Sequence, residues 1–181
     1  GKLIEMSDNG TTATAVWHET YPIVTYLVSL ASYPYAVYSD YYVHSPTDST
    51  EIKFFIFPEN VPYYEEVNAK VKDMMATFAG LYGEYPFLDE KYGHAEFLWG
   101  GGMEHQTLTS YGSILLTGDH RYDWLWIHEL GHQWFGDMIT CSDWHHGWVN
   151  EGFATYCEAL WIEHFGDAAD PVRHITLRNT T

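Results

Sequence analysis

Apolar and polar positions change period along the chain, and the change divides it. In the first 58 residues, Thr11–Trp17, Ile23–Ala31 and Ala36–His44 are rich in Val, Thr, Tyr and Ile. Such β-branched and aromatic runs, punctuated by Pro and Gly, predict strands. Ser45–Thr50 reads as a polar turn, and Glu51–Phe57 as a short strand ended by Pro58. The period then becomes helical: Tyr64, Val67, Val71, Met74, Met75, Phe78 and Leu81 recur mostly at three- and four-residue spacing. Asn60 suits an N-cap, Glu65 and Glu66 a first turn, and Gly83 with Pro86 a stop. This stripe is the pattern of a core-facing helix. His94–Trp99 predicts a strand, Gly100–Gly102 a break and Ser113–Thr117 another strand. Further helices are expected from about Tyr122 to Gly136 and from about Asn150 to Phe165. The fold class expected is α+β. Residues 1–58 read as the C-terminal part of a β domain whose other strands lie elsewhere, and residues 59–181 as a second unit.

Composition narrows the functional classes. Apolar residues make up 46% of the chain, including 8 Trp, 15 Tyr and 9 Phe, so a core can form and disorder is excluded. Eight Lys and Arg against 25 Asp and Glu give −17, which repels phosphate and makes nucleic acid or an anionic membrane a poor partner. The apolar runs fall short of the roughly 20 residues a membrane span needs. No leader pattern opens the chain at Gly1, and the compartment is left open. Cys141 and Cys157 allow one disulfide at most. Between Tyr92 and Val172 the only Lys or Arg is Arg121, against twelve acids and eight of the eleven histidines. That bias fits a solvated acidic face, or a cleft that attracts a metal ion or an ammonium group.

One constellation carries chemistry. His128-Glu129-Leu130-Gly131-His132 places two histidines at i and i+4, on one helical face a turn apart. Both imidazoles then reach a single ion at Zn–N distances of about 2.0–2.1 Å. Glu129 projects beside them, where it can hold the nucleophilic water. Gly131 removes a side chain and lets another backbone approach. A catalytic zinc needs three protein ligands and an open position. Glu151, nineteen positions beyond His132 at the start of the next helix, supplies the third if residues 137–148 turn the chain back. His145 and His146 in that turn read as solvated loop residues, while Glu158 and Asp137 are candidates to orient a ligand.

The run His128–Asp137, followed by Trp148-Val149-Asn150-Glu151-Gly152-Phe153-Ala154, resembles the M1 zinc aminopeptidases, the gluzincins. Gly101-Gly102-Met103-Glu104-His105 is similar to that family's exopeptidase motif, Gly-x-Met-Glu-Asn, with His105 in place of the Asn. The resemblance implies a thermolysin-like lobe, a small sheet packed on helices, preceded by the end of the family's β domain. It implies one zinc ion per chain, held by His128, His132 and Glu151, with Glu129 as general base. It assigns Glu104 to the α-ammonium of peptide substrates with a free N-terminus. Gly101, Gly102, Met103 and His105 line the substrate backbone. By the resemblance, the family's catalytic tyrosine is expected after Thr181, and its N-terminal amine-binding acid is expected to be missing from this stretch. The chain is therefore read as a fragment, partnered by the rest of a parent enzyme, that binds zinc but turns over slowly alone. The alternatives are a zinc endopeptidase with the same ligands, a non-catalytic peptide-binding module of the same fold, and the epoxide hydrolysis that occurs within the family.

Overall fold

The computed structural model describes residues 1–165. Asp167, Asp170 and the rest of the chain to Thr181 lie outside the described residues, as does the end of the unit expected over 59–181. The architecture is α+β. A two-stranded ribbon, β1 (Lys2–Asp8) and β2 (Ala13–His18), precedes a five-stranded mixed sheet in the order β3-β4-β5-β7-β6. Its strands are β3 (Ala36–Ser45), β4 (Asp48–Ile56), β5 (Lys91–Phe97), β6 (Gly102–Met103) and β7 (Thr109–Gly112). The helices are α1 (Tyr64–Asn68), α2 (Val71–Tyr82), α3 (Asp123–Gly131) and α4 (Trp148–Phe165).

β3 and β4 form an antiparallel hairpin around Pro46-Thr47, with Ser45 opposite Asp48. β4 alternates as a strand with one covered face should: Thr50, Ile52, Phe54 and Ile56 point into the core. β4 then pairs in parallel with β5, and β5 with β7, so the sheet continues across residue 58. β5 is central and buried along nearly its whole length. β6 pairs antiparallel with β7 and forms one edge.

In α2, Val71, Met74, Met75 and Phe78 at i, i+3, i+4 and i+7 are buried, while Leu81 faces out. Gly83 ends the helix at φ +93°, a conformation that suits a residue without a Cβ, and its N–H bonds Ala79 O. The core joins the inner face of the sheet to α2 and α3 through aromatic rings. Tyr111 meets Trp126 edge-on at 4.6 Å, and Trp134 lies 5.9 Å from both Phe78 and Tyr85. Burying each such ring stabilises the fold by roughly 1.5–3 kcal/mol.

Several expectations differ from the observed elements: Asn60 lies within a 3-10 segment, Pro58–Tyr63, and caps no helix, and Asp48–Thr50 belong to β4. Ile23–Ala31 is not a strand: Thr25–Leu27 forms a 3-10 turn, Leu27 is buried and Leu30 is fully exposed. Strand propensity is realised only where a neighbouring strand supplies a ladder, and this segment has none. The strand expected at Ser113–Thr117 lies earlier, at Thr109–Gly112, and Ser113–Leu115 is a 3-10 turn. Lys2–Asp8, not anticipated, pairs with Ala13–His18. Cys141 and Cys157 are both free thiols.

Candidate metal centre

α3 begins at Asp123 and carries Leu125, Trp126, Ile127 and Leu130 into the core. That fixes its rotation and turns His128 and His132 to one side. Regular helix ends at Gly131, earlier than the Gly136 expected, but His132 keeps helical dihedrals and its N–H bonds His128 O at 3.2 Å. α4 packs against α3 at Gly131, where an added Cβ would lie 2.9 Å from Cys157 Sγ. The missing side chain thus sets how closely the two helices approach, and with it the position of Glu151 in the first turn of α4.

The three donors converge. His128 Nε2 lies 3.1 Å from His132 Nε2 and 3.3 Å from Glu151 Oε2, and His132 Nε2 lies 3.7 Å from the same oxygen. A tetrahedral ion with bonds of about 2.0–2.1 Å separates its ligands by about 3.3 Å. The tautomers agree. His132 Nδ1 donates to Phe135 O at 3.0 Å, and a carbonyl only accepts, so in the neutral ring Nε2 presents its lone pair. His128 Nδ1 bonds the fully buried Glu158 carboxylate at 2.8 Å, which orients that ring in the same sense. Two bare nitrogens and one carboxylate oxygen face one another, an arrangement a cation stabilises and a dry contact does not. His128, His132 and Glu151 therefore fit a divalent ion.

The acids around the histidine pair make it a place for positive charge, whether a proton or a metal ion. Burial works against the protonated form of His128, but hydrogen bonds to Glu151 and Glu158 outweigh it and push the imidazole up to about 9. The same two histidines hold the Glu151 carboxyl well below the usual carboxylate range. Burial pushes Glu129 up to about 7, against the pull of His132 and His128 and with Glu104 and Glu151 adding to the rise. Glu129 Oε2 is buried with no hydrogen-bond partner among the described residues. The Gly102 backbone lies directly against the Glu129 carboxyl.

Glu104 follows edge strand β6, is 7% exposed, and forms a second compact group with Glu129 and His132, their ligand atoms all within 4.8 Å of one another. Asp137 is buried nearby, and burial followed by Glu104 and Glu129 raises its carboxyl well above the usual range. His105 does not join this group: its Nδ1 pairs with Ser110 Oγ at 2.9 Å. Gly101 takes φ +99° and its carbonyl accepts from Gly112 N–H at 2.9 Å, which ties the glycine run to β7. His145 and His146 stay exposed in the loop and share Asp143 Oδ1 at 3.2 and 3.1 Å. One neighbour escaped the sequence reading: Asn150 Nδ2 donates to Tyr26 OH at 3.0 Å, from the segment expected to be a strand. Nothing in the local pattern around Tyr26 signals that contact.

Residues 65–181 match the family model described as the peptidase family M1 domain. The chain belongs to peptidase family M1. Among curated relatives, endoplasmic reticulum aminopeptidase 2 from Bos taurus is 31% identical over 150 residues, covering 75% of this chain and 15% of its own length. Aminopeptidase B from Rattus norvegicus is 36% identical over 96 residues, 52% of this chain and 15% of the relative. The chain thus spans about 15% of the length of these curated relatives. Among solved M1 structures, the zinc metallopeptidase from Deinococcus radiodurans aligns with a TM-score of 0.75 at 28% identity, covering 92% of this chain and 37% of that one. Aminopeptidase A from Legionella pneumophila has the same fold at a TM-score of 0.81 and 22% identity, over 90% of this chain and 21% of that one. These matches agree with the thermolysin-like lobe expected of an M1 chain.

Proposed function

We propose that this chain carries the catalytic centre of a zinc-dependent aminopeptidase that removes N-terminal residues from peptides. The observation that carries the reading is the convergence of three lone-pair donors, His128 Nε2, His132 Nε2 and Glu151 Oε2, beside a buried, unpartnered Glu129 carboxylate oxygen. His128, His132 and Glu151 hold one zinc ion. When bound there, zinc supplies Lewis acidity to a water and to the scissile carbonyl. Glu129 takes a proton from the attacking water at Oε2 and returns it to the leaving amine. Its elevated affinity for protons suits both halves of that exchange. Glu158 holds His128 in the tautomer that frees Nε2. Peptide substrates align along the β6 edge, where Gly101, Gly102 and Met103 leave the backbone accessible. The division between a β-domain remnant over 1–58 and a catalytic unit over 59–181 remains part of this proposal, with the sheet shared across it. So does a parent enzyme that supplies the remaining catalytic groups.

Glu104 separates an aminopeptidase from an endopeptidase with the same ligands. A buried carboxylate within a few ångströms of the general base gives an α-ammonium a charge-assisted partner beside the reacting carbonyl of the same residue. An endopeptidase has no such group to bind. Hydrogen bonds to charged groups contribute about 1.5–3 kcal/mol. Glu104→Gln should therefore lower kcat/KM for free-amine peptides by about 10- to 100-fold, and leave N-acetylated peptides as they were. Equal loss on both substrate types counts against the aminopeptidase reading.

Glu158→Gln tests the metal side. Glutamine keeps the size but loses the charge that polarises the imidazole, so zinc affinity should fall about 10- to 100-fold. Competition against a fluorescent chelator measures it. An unchanged affinity would remove Glu158 from the centre.

A further inference from the structure

We infer that Gln133 is a positioning residue that fixes the amine-binding loop relative to the histidine pair. This deepens the aminopeptidase reading and rests on it. The turn His105–Leu108, closed by Leu108 N–H donating to His105 O at 2.9 Å, directly follows Glu104. Thr107 within it is fully buried and has φ +63°. A β-branched residue in the left-handed region is costly, on the order of 1–3 kcal/mol, and persists only where its surroundings determine it.

Those surroundings are four hydrogen bonds, one of them from the Gly1 amino group to Thr107 Oγ1 at 2.8 Å. Thr107 N–H donates to Gln133 Oε1 at 2.9 Å. Lys91 Nζ, buried in the central strand, donates to Thr107 O at 3.0 Å and approaches Thr107 Oγ1 at 3.4 Å. Because a backbone N–H only donates, the oxygen of the Gln133 amide must face the turn. Tyr85 OH approaches that same oxygen at 3.4 Å.

Gln133 is itself fully buried and follows His132 in the chain. Its side chain therefore ties the turn after Glu104 to the backbone that carries His132. The amide nitrogen, Nε2, has no hydrogen-bond partner among the described residues, so only the acceptor is in use there. An exopeptidase must hold the ammonium anchor at a fixed offset from the reacting carbonyl. A misplacement of about 1 Å costs on the order of 100-fold. Glu104 directly follows an edge strand only two residues long, which cannot hold that offset alone. The Gln133–Thr107 bond supplies the missing restraint.

The test compares free-amine and N-acetylated peptides in the zinc-loaded holoenzyme, with zinc content and thermal midpoint recorded for each variant. Gln133→Met keeps the size and removes the acceptor. It should lower the free-amine to N-acetyl ratio of kcat/KM by about tenfold or more while one zinc stays bound. Gln133→Glu keeps an acceptor oxygen toward Thr107 and should recover most of the ratio. If Gln133→Met does not fold, Gln133→Asn withdraws the same amide by one methylene and should lower the ratio in its place. An unchanged ratio, an equal loss on both substrates, or a Glu variant as impaired as Met overturns the assignment. A wild-type enzyme that does not distinguish the two substrates overturns the aminopeptidase reading instead.

Discussion

Glu129→Gln should leave one zinc bound and reduce turnover by about 10²–10⁴-fold, the range that a positioned general acid–base contributes. The substitution is close to isosteric, so packing in a helix whose neighbours Leu125, Trp126, Ile127 and Leu130 are buried is undisturbed. It removes the one property the mechanism uses, the capacity to take and return a proton. Glu129 Oε2 is buried without a partner among the described residues, so no hydrogen bond to any of them is lost from that atom. Steady-state kinetics with metal analysis of the same sample separates chemistry from metal binding. Turnover within a few-fold of wild type would show that another group is the base.

His132→Ala should abolish stoichiometric zinc and activity together. The ring is 1% exposed, and its Nδ1 is already committed to the Phe135 carbonyl, so Nε2 has no role except at the centre. Losing one of three donors should cost more affinity than the roughly 10–100-fold attached to an orienting partner such as Glu158. The measurement is zinc per chain after dialysis against a mild chelator, with circular dichroism to confirm the fold. His145→Ala and His146→Ala serve as controls. Both residues are exposed and paired only with Asp143 among the contacts described, so zinc and activity should be unchanged. A His132→Ala protein that retains one tightly held zinc would displace the metal centre from this site.

The site was more legible than the sheet because its spacing is local. Two histidines one helical turn apart must share a face wherever the helix lies, and Gly131 between them anticipated the close approach of α4. Glu151 needed one further assumption, a turn over residues 137–148, and the chain makes it. Strands depend on distant partners. Ile23–Ala31 has the composition of a strand but no neighbour to pair with, and Lys2–Asp8 forms one because Ala13–His18 lies beside it. The boundary expected at residue 58 follows a real change of period, yet β4 and β5 on either side pair in one sheet.

The sequence by itself determined the chemistry on offer: two imidazoles, a third acid, a base between them and a glycine-rich approach to Glu104. Those features follow from residue identity and a 3.6-residue period, which act over a few positions. Tertiary structure alone decided which nitrogen of each ring is free, since Phe135 O and Glu158 claim the others. It also brought Gln133 to Thr107 and Asn150 to Tyr26 across separations of 26 and 124 residues. Hydrogen bonds of that kind are made by packing, and no local pattern encodes them.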